Sequence, residues 1–119
     1  MYGLRSARQS LQTHEAAGPF KSDMWRLYRS AGEDVGVLLA VDRPEQRAWE
    51  VIYLGVVEAA RKQGIATEML SDILQAAGDA GAEQLLIVVD ARNLPAVRLY
   101  ESFGFTMYDV RAAHVRLHP

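Results

Sequence analysis

From Met24 to Arg29 the chain alternates, with Met24, Arg26 and Tyr28 on one side and Trp25, Leu27 and Arg29 on the other, the two-residue period of a strand. Ser30–Asp34 (SAGED) predicts a turn, Val35–Val41 a second strand, Asp42–Arg47 (DRPEQR) a second turn and Ala48–Val57 a third strand. Strands joined by such tight turns predict an antiparallel meander. Gly55, inside the third strand, marks a bulge or a close backbone approach. The period changes after Gly64. Ile65, Ala66, Met69, Leu70, Ile73, Leu74 and Ala77 follow the i, i+3/i+4 spacing of one helix face. After Ala80-Gly81-Ala82, the unbroken Leu85–Val89 within Gln84–Asp90 is the pattern of a strand buried on both faces. Strand, helix and second strand together imply a right-handed parallel crossover. Asn93 then caps a short helix with Pro95 in its first turn and Ala96, Leu99, Tyr100 and Phe103 inward. Gly104 stops it where a left-handed C-cap is needed. Phe105–Leu117 closes the chain either as one long strand or as a tight hairpin. Ahead of all this, Leu4–Ala17 reads either as one helix ending at Gly18-Pro19 or as a frayed tail. The expected organisation is therefore an N-terminal helix or tail over 1–23 and a single α/β domain over 24–119, its mixed sheet antiparallel in the first half with a parallel strand pair later.

At 119 residues, half of them apolar, the chain is long enough for one domain with a real core. A net charge of −2 argues against nucleic acid as the main partner. No apolar run approaches the length of a membrane span, and MYGLRSARQS lacks the apolar core of a secretory signal. With no cysteine there is no disulfide framework, no thiolate nucleophile and no cysteine-based zinc site. A cytoplasmic protein is expected. His14, His114 and His118 show no metal-ligand spacing and read as surface or terminal residues, so no metal is expected. No Ser-His-Asp arrangement is legible.

The candidate chemistry lies in Leu54–Thr67, LGVVEAARKQGIAT. A strand, a loop with the adjacent cations Arg61 and Lys62, and a glycine opening a helix point free N–H groups and a positive dipole end at one spot. Such a spot binds phosphate. The loop lacks the G-K-[ST] of a P-loop, so ATP and GTP are poor candidates. This loop, with Arg61, Gly64 and Ala66 in the form [QR]-x-x-G-x-[GA], is followed by Asn93, Ala96, Leu99, Tyr100, Gly104 and Phe105 in the form N-x-x-A-x-x-L-Y-x-x-x-G-F. The pair resembles the acyl-CoA-dependent N-acetyltransferase (GNAT) superfamily. The first motif alone is weak. Both in order, on the expected elements and covering roughly Met24–Leu117, make a strong signal.

The resemblance implies a GNAT-like fold with a cofactor cleft beside the parallel strand pair, and acetyl-CoA as co-substrate. Backbone N–H groups of Gln63, Gly64, Ile65, Ala66 and Thr67 would hold the CoA pyrophosphate, with charge added by Arg61 and Lys62. Leu54, Val56 and Val57 would lie along the strand edge that pairs with the pantetheine amides. A bulge near Gly55 would splay this strand from Leu85–Val89. The N–H of Val56 would face the thioester carbonyl, and Asn93 would contact the pantetheine arm. Tyr100 would sit beside the sulfur as the acid for the leaving thiolate. Glu50, six residues before Val56, matches the place where some GNAT histone acetyltransferases carry their general base. The implied reaction is acetyl transfer to a primary amine, of a small molecule or a protein, by direct attack through a ternary complex.

Plainer readings stand beside these. Arg61 and Lys62 also read as a solvated pair, Tyr100 as a packed core tyrosine, Glu50 as a rim charge, and Asn93 is explained in full as an N-cap. The Met24, Trp25, Tyr28 and Trp49 side chains read as core or cleft lining. Departures from the family's pattern also matter. GNAT chains usually place a strand and two helices ahead of the strand at Met24–Arg29, elements that build part of the acceptor side. Glu58 stands where proline is usual and Ala60 where an aromatic is common. A shortened N-terminus leaves a large acceptor, a second subunit, or a fragment or degenerate member as the explanations. An uncovered sheet edge or apolar face predicts a homodimer. The alternatives to an enzyme are a non-catalytic acyl-CoA-binding or regulatory module, and an assembly subunit that uses the fold as a scaffold.

Overall fold

The turn at Ser30–Asp34 narrows to two residues. Ala31 and Gly32 have φ of 53° and 81°, the doubly left-handed turn whose twist matches a hairpin, and Ser30 pairs with Glu33 across it. This is a computed structural model, and it describes residues 24–61 and 64–117. The segment 1–23, with the helix or tail expected there and His14, lies outside the described residues, as do Lys62, Gln63 and His118.

The hairpin joins β1 (Trp25–Ser30) to β2 (Glu33–Arg43) in antiparallel register from Trp25–Leu39 to Ser30–Glu33. β3 (Ala48–Val56) follows a 3₁₀ turn over Pro44–Gln46, then α1 (Ile65–Asp79), β4 (Gln84–Val88), α2 (Leu94–Ser102), β5 (Thr106–Asp109) and β6 (Ala112–Arg116). The strands form one six-stranded sheet in the order β1-β2-β3-β4-β6-β5, a mixed sheet with β3 and β4 parallel. The end of the chain is thus a hairpin, and its second strand rather than its first lies beside β4.

Residues 24–40 and Tyr53–Ile73 form one compact unit; Val41–Ile52 and the chain from Leu74 onwards form another. In the first, Tyr28, Leu38, Ile65, Met69, Leu70 and Ile73 are fully buried. The helical members of that set are the face expected from the 3.6-residue period. In the second, Trp49, Val51, Leu85, Ile87, Tyr100 and Phe105 make the core. Val88 departs from the expectation of a strand buried on both faces, being 50% exposed. It is the last residue of β4, paired only with Ala112, after which the chain turns to bond Val89 and Ala91 to Arg111 and Val110.

Both helices end alike. At α1 the amides of Gly81 and Ala82 bond to the carbonyls of Gly78 and Ala77, and at α2 those of Gly104 and Phe105 bond to Glu101 and Tyr100. Each is a Schellman motif, and the glycine at its left-handed position has φ of 88° or 93°. No helix among the described residues is long and apolar enough to cross a membrane.

Candidate active site

The ladder between β3 and β4 runs from Ala48–Gln84 to Val51–Ile87 and stops there, although β3 itself continues to Val56. The last five residues of β3 therefore lie beyond the parallel pairing. Register shifts fall between Tyr28 and Arg29 in the β1–β2 ladder and between Met107 and Asp109 in the β5–β6 ladder. Gly55 serves a close approach. A Cβ there would stand 2.7 Å from the Tyr53 hydroxyl, and its carbonyl oxygen lies 3.3 Å from where a Cβ on Gly36 would be.

Past the strand, Leu54 and Val56 are half-buried and Val57 is exposed. The Val57 amide is taken up by the Val35 carbonyl at 2.9 Å. A 3₁₀ turn over Glu58–Ala60 leads to Arg61, whose side chain folds back so that Nε donates to the Val56 carbonyl at 3.2 Å. That bond keeps an exposed guanidinium beside the end of β3. Glu58 opens this turn, and Ala60 is buried at 4% exposure.

Gly64 has φ of 80°, and α1 begins at the next residue. Among the described residues, the first amide bonded back along the chain at this end is that of Glu68, to Gly64 at 3.0 Å. The amides of Ile65, Ala66 and Thr67 thus occupy the helix positions that have no intrahelical acceptor. Ile65 is anchored inward at 1% exposure while Thr67 faces solvent. The start of a fifteen-residue helix carries about half a positive charge. Amides, dipole and Arg61 belong to one unit and suit a diphosphate. Glu68, a residue the sequence reading passed over, is buried in the same first turn.

The remaining candidates belong to the second unit. Glu50 is half-buried on β3 and accepts from Arg43 Nε at 2.8 Å, an ion pair across the 3₁₀ turn. That bond lifts the Arg43 guanidinium further above its usual range. Asn93 is the N-cap of α2, its side chain accepting from the Ala96 amide at 3.3 Å. Tyr100 is 6% exposed and packs against Phe105, ring centroids 5.9 Å apart. Burial pushes its phenol pKa up, so it keeps its proton at neutral pH. Among the described residues no hydrogen bond engages its hydroxyl. His114, expected at the surface, is half-buried in β6 with the Tyr108 ring edge-on at 5.3 Å. The described residues contain no cluster of three or more His, Asp or Glu suited to a metal.

The profile of the Acetyltransferase (GNAT) family matches residues 6–105. The uncharacterized N-acetyltransferase YdgE of Bacillus subtilis is 34% identical over 90 residues, covering 73% of this chain and 57% of that protein. A mycothiol acetyltransferase of Streptomyces griseus is 30% identical over 103 residues, covering 87% of this chain and 34% of that protein. The chain therefore spans less than two thirds of either relative. Among solved structures, Ard1 of Thermoplasma volcanium superposes with a TM-score of 0.72 at 13% identity, covering 98% of this chain and 94% of that one. A Bacillus subtilis acetyltransferase in complex with CoA superposes at 0.69 with 17% identity, covering 79% of this chain and 76% of that one. These likenesses show the fold. With 100 of 119 residues inside one family profile, the chain belongs to the acetyltransferase (GNAT) family.

Proposed function

We propose that this chain transfers the acetyl group of acetyl-CoA to a primary amine by direct attack. The observation that carries this is the start of α1. Three helix positions with no acceptor among the described residues follow a left-handed glycine, with Arg61 held beside the end of β3. The absence of cysteine removes the thiolate on which an acyl-enzyme would most readily form. The amine nitrogen bonds to the thioester carbonyl carbon, the C–S bond breaks, the nitrogen gives up a proton and the sulfur takes one. In this reading the amides of Gln63–Thr67 with Arg61 and Lys62 hold the diphosphate. Leu54, Val56 and Val57 meet the pantetheine arm, and Asn93 contacts it as well. The Val56 N–H faces the carbonyl oxygen, and Tyr100 donates toward the sulfur.

Glu50 is the proposed base, acting on the amine directly or through a water. Its carboxylate is paired with the Arg43 guanidinium, a contact the amine or water has to share. Glu50→Gln is expected to lower kcat/KM by about 10²-fold, within the range for a general base. A variant with the kcat/KM of the wild type removes Glu50 from the mechanism.

The test of the whole reading is a thermal shift followed by an amine screen. Acetyl-CoA at 100 times its Kd should add about 2.7 kcal/mol of stability. Thiol release on at least one amine should then follow. Binding without release on any acceptor favours a non-catalytic acyl-CoA-binding module, and no shift at millimolar acetyl-CoA favours a scaffold.

A further inference from the structure

Tyr28 and Gly36 stand directly opposite each other in the β1–β2 ladder, and α1 rests on that pair through two residues one helical turn apart. Met69 covers the glycine. A Cβ on Gly36 would come within 2.9 Å of Met69 Sδ, and Met69 has no exposed surface into which to retreat. Asp72 takes the tyrosine, as the Tyr28 hydroxyl donates to Asp72 Oδ2 at 2.7 Å. Tyr28 is itself fully buried, and the chain shifts register immediately after it. Burial, and then Asp72, drive its phenol pKa far above the ordinary range, so the hydroxyl is a donor at any working pH. Residues i and i+3 share a helix face. Two such contacts fix both the depth of a helix on a sheet and its rotation about its own axis. The first contact is five residues from Gly64 and the second eight.

We infer that Tyr28, through its bond to Asp72, is a positioning residue for the acyl donor, setting the rotation of α1 and thereby the aim of the Ile65–Thr67 amides at the diphosphate. This rests on the proposed donor site at the helix start. A neutral donor bonded to a carboxylate is one of the stronger polar contacts available. Its partner cannot be replaced by solvent where the ring is fully covered. Ile65, Met69, Leu70 and Ile73 pack the buried face of α1, and the Tyr28–Asp72 bond adds a directional polar contact to that packing.

The test uses Tyr28→Phe, which keeps the ring and removes the hydroxyl, and Asp72→Asn, which keeps an acceptor and removes the charge. Calorimetric titration with CoA is done at a temperature where circular dichroism shows each protein fully folded. Tyr28→Phe should bind CoA about fivefold more weakly, and Asp72→Asn about twofold. The double variant should be no worse than Tyr28→Phe. In turnover, KM for acetyl-CoA should rise in proportion while kcat stays within twofold of wild type. With acetyl-pantetheine, a donor lacking the diphosphate, kcat/KM should be unchanged. Equal losses with both donors would show a general loosening and overturn the inference, as would wild-type CoA affinity in Tyr28→Phe. If Tyr28→Phe does not fold, unchanged affinity in Asp72→Asn overturns it. A wild-type protein that binds no CoA strikes the donor site itself, a different failure.

Discussion

Tyr100→Phe is expected to lower kcat by roughly 10²-fold while leaving the affinity for CoA within about twofold. The substitution is conservative for the fold. The Tyr100 ring packs on Phe105, and its hydroxyl has no partner among the described residues, so the phenyl ring keeps the packing and strands no donor. The expected loss sits at the lower end of the range for acid catalysis for a stated reason. Burial raises the phenol pKa, which makes Tyr100 a weaker acid than an exposed tyrosine. A thiolate titrates near 8.5, below even an ordinary phenol. Complete transfer from Tyr100 to a free thiolate is therefore uphill, and its contribution is a hydrogen bond to sulfur as charge develops there.

The sign of the accompanying pH effect follows. A folded-state pKa above the unfolded one gives stability that is fully present below about pH 10. It is lost as pH rises through the folded value, because the unfolded chain ionises first. At neutral pH the phenol is intact, and an alkaline limb in kcat belonging to Tyr100 should lie above pH 10. Single-turnover rates with saturating acetyl-CoA, alongside titration with CoA, separate the two readouts. Equal turnover by Tyr100→Phe would leave Tyr100 as the packed core tyrosine that its burial alone explains.

Local elements were legible in this sequence because their causes are local. The period-two stretch Met24–Arg29 became β1, and the helical stripe from Ile65 to Ala77 became the buried face of α1. Gly81 and Gly104 each occupy a left-handed helix end. Asn93, Pro95 and Gly104 bracketed α2 correctly, since caps are decided within a few residues. The hairpin at Phe105–Leu117 was harder. Its turn at Val110 and Arg111 has no glycine, proline or asparagine to announce it. The placement of β6 rather than β5 beside β4 is a non-local choice, one that no window of sequence contains.

Side-chain partners were the least legible. Arg43 and Glu50 flank a turn, and their charges are visible in the sequence, yet only the hairpin's register brings them to 2.8 Å. Tyr28 and Asp72 are 44 residues apart. Asp72 does lie three residues after the buried Met69, and a carboxylate at that spacing on an apolar face was the available sign of a buried partner. For the proposed donor site, the left-handed Gly64 and the helix that starts after it were readable from the glycine and the change of period together.

Gly64→Val should raise KM for acetyl-CoA by about 10²-fold, with a much smaller change in kcat at saturation. The backbone at Gly64 has φ of 80°, a region that costs an L-residue about 1–2 kcal/mol and suits a β-branched one worst. The strain has one nearby relief, rotation of the peptides on either side. The peptide that follows carries the Ile65 amide into the helix start. Misplacing reacting or binding groups by about 1 Å is enough to lose roughly 10²-fold. The substitutions should therefore rank by tolerance of left-handed backbone, with Gly64→Asn least affected, Gly64→Ala intermediate and Gly64→Val worst. Gly104→Ala supplies the control. It meets the same dihedral penalty at φ of 93°, and its added Cβ finds only an ordinary contact with Val115 at 3.5 Å. It should lower Tm and leave KM for acetyl-CoA where it was. Gly64→Asn and Gly64→Val with the same KM would show that the dihedral is not what governs donor binding, and a KM effect in Gly104→Ala would show that loss of stability alone suffices.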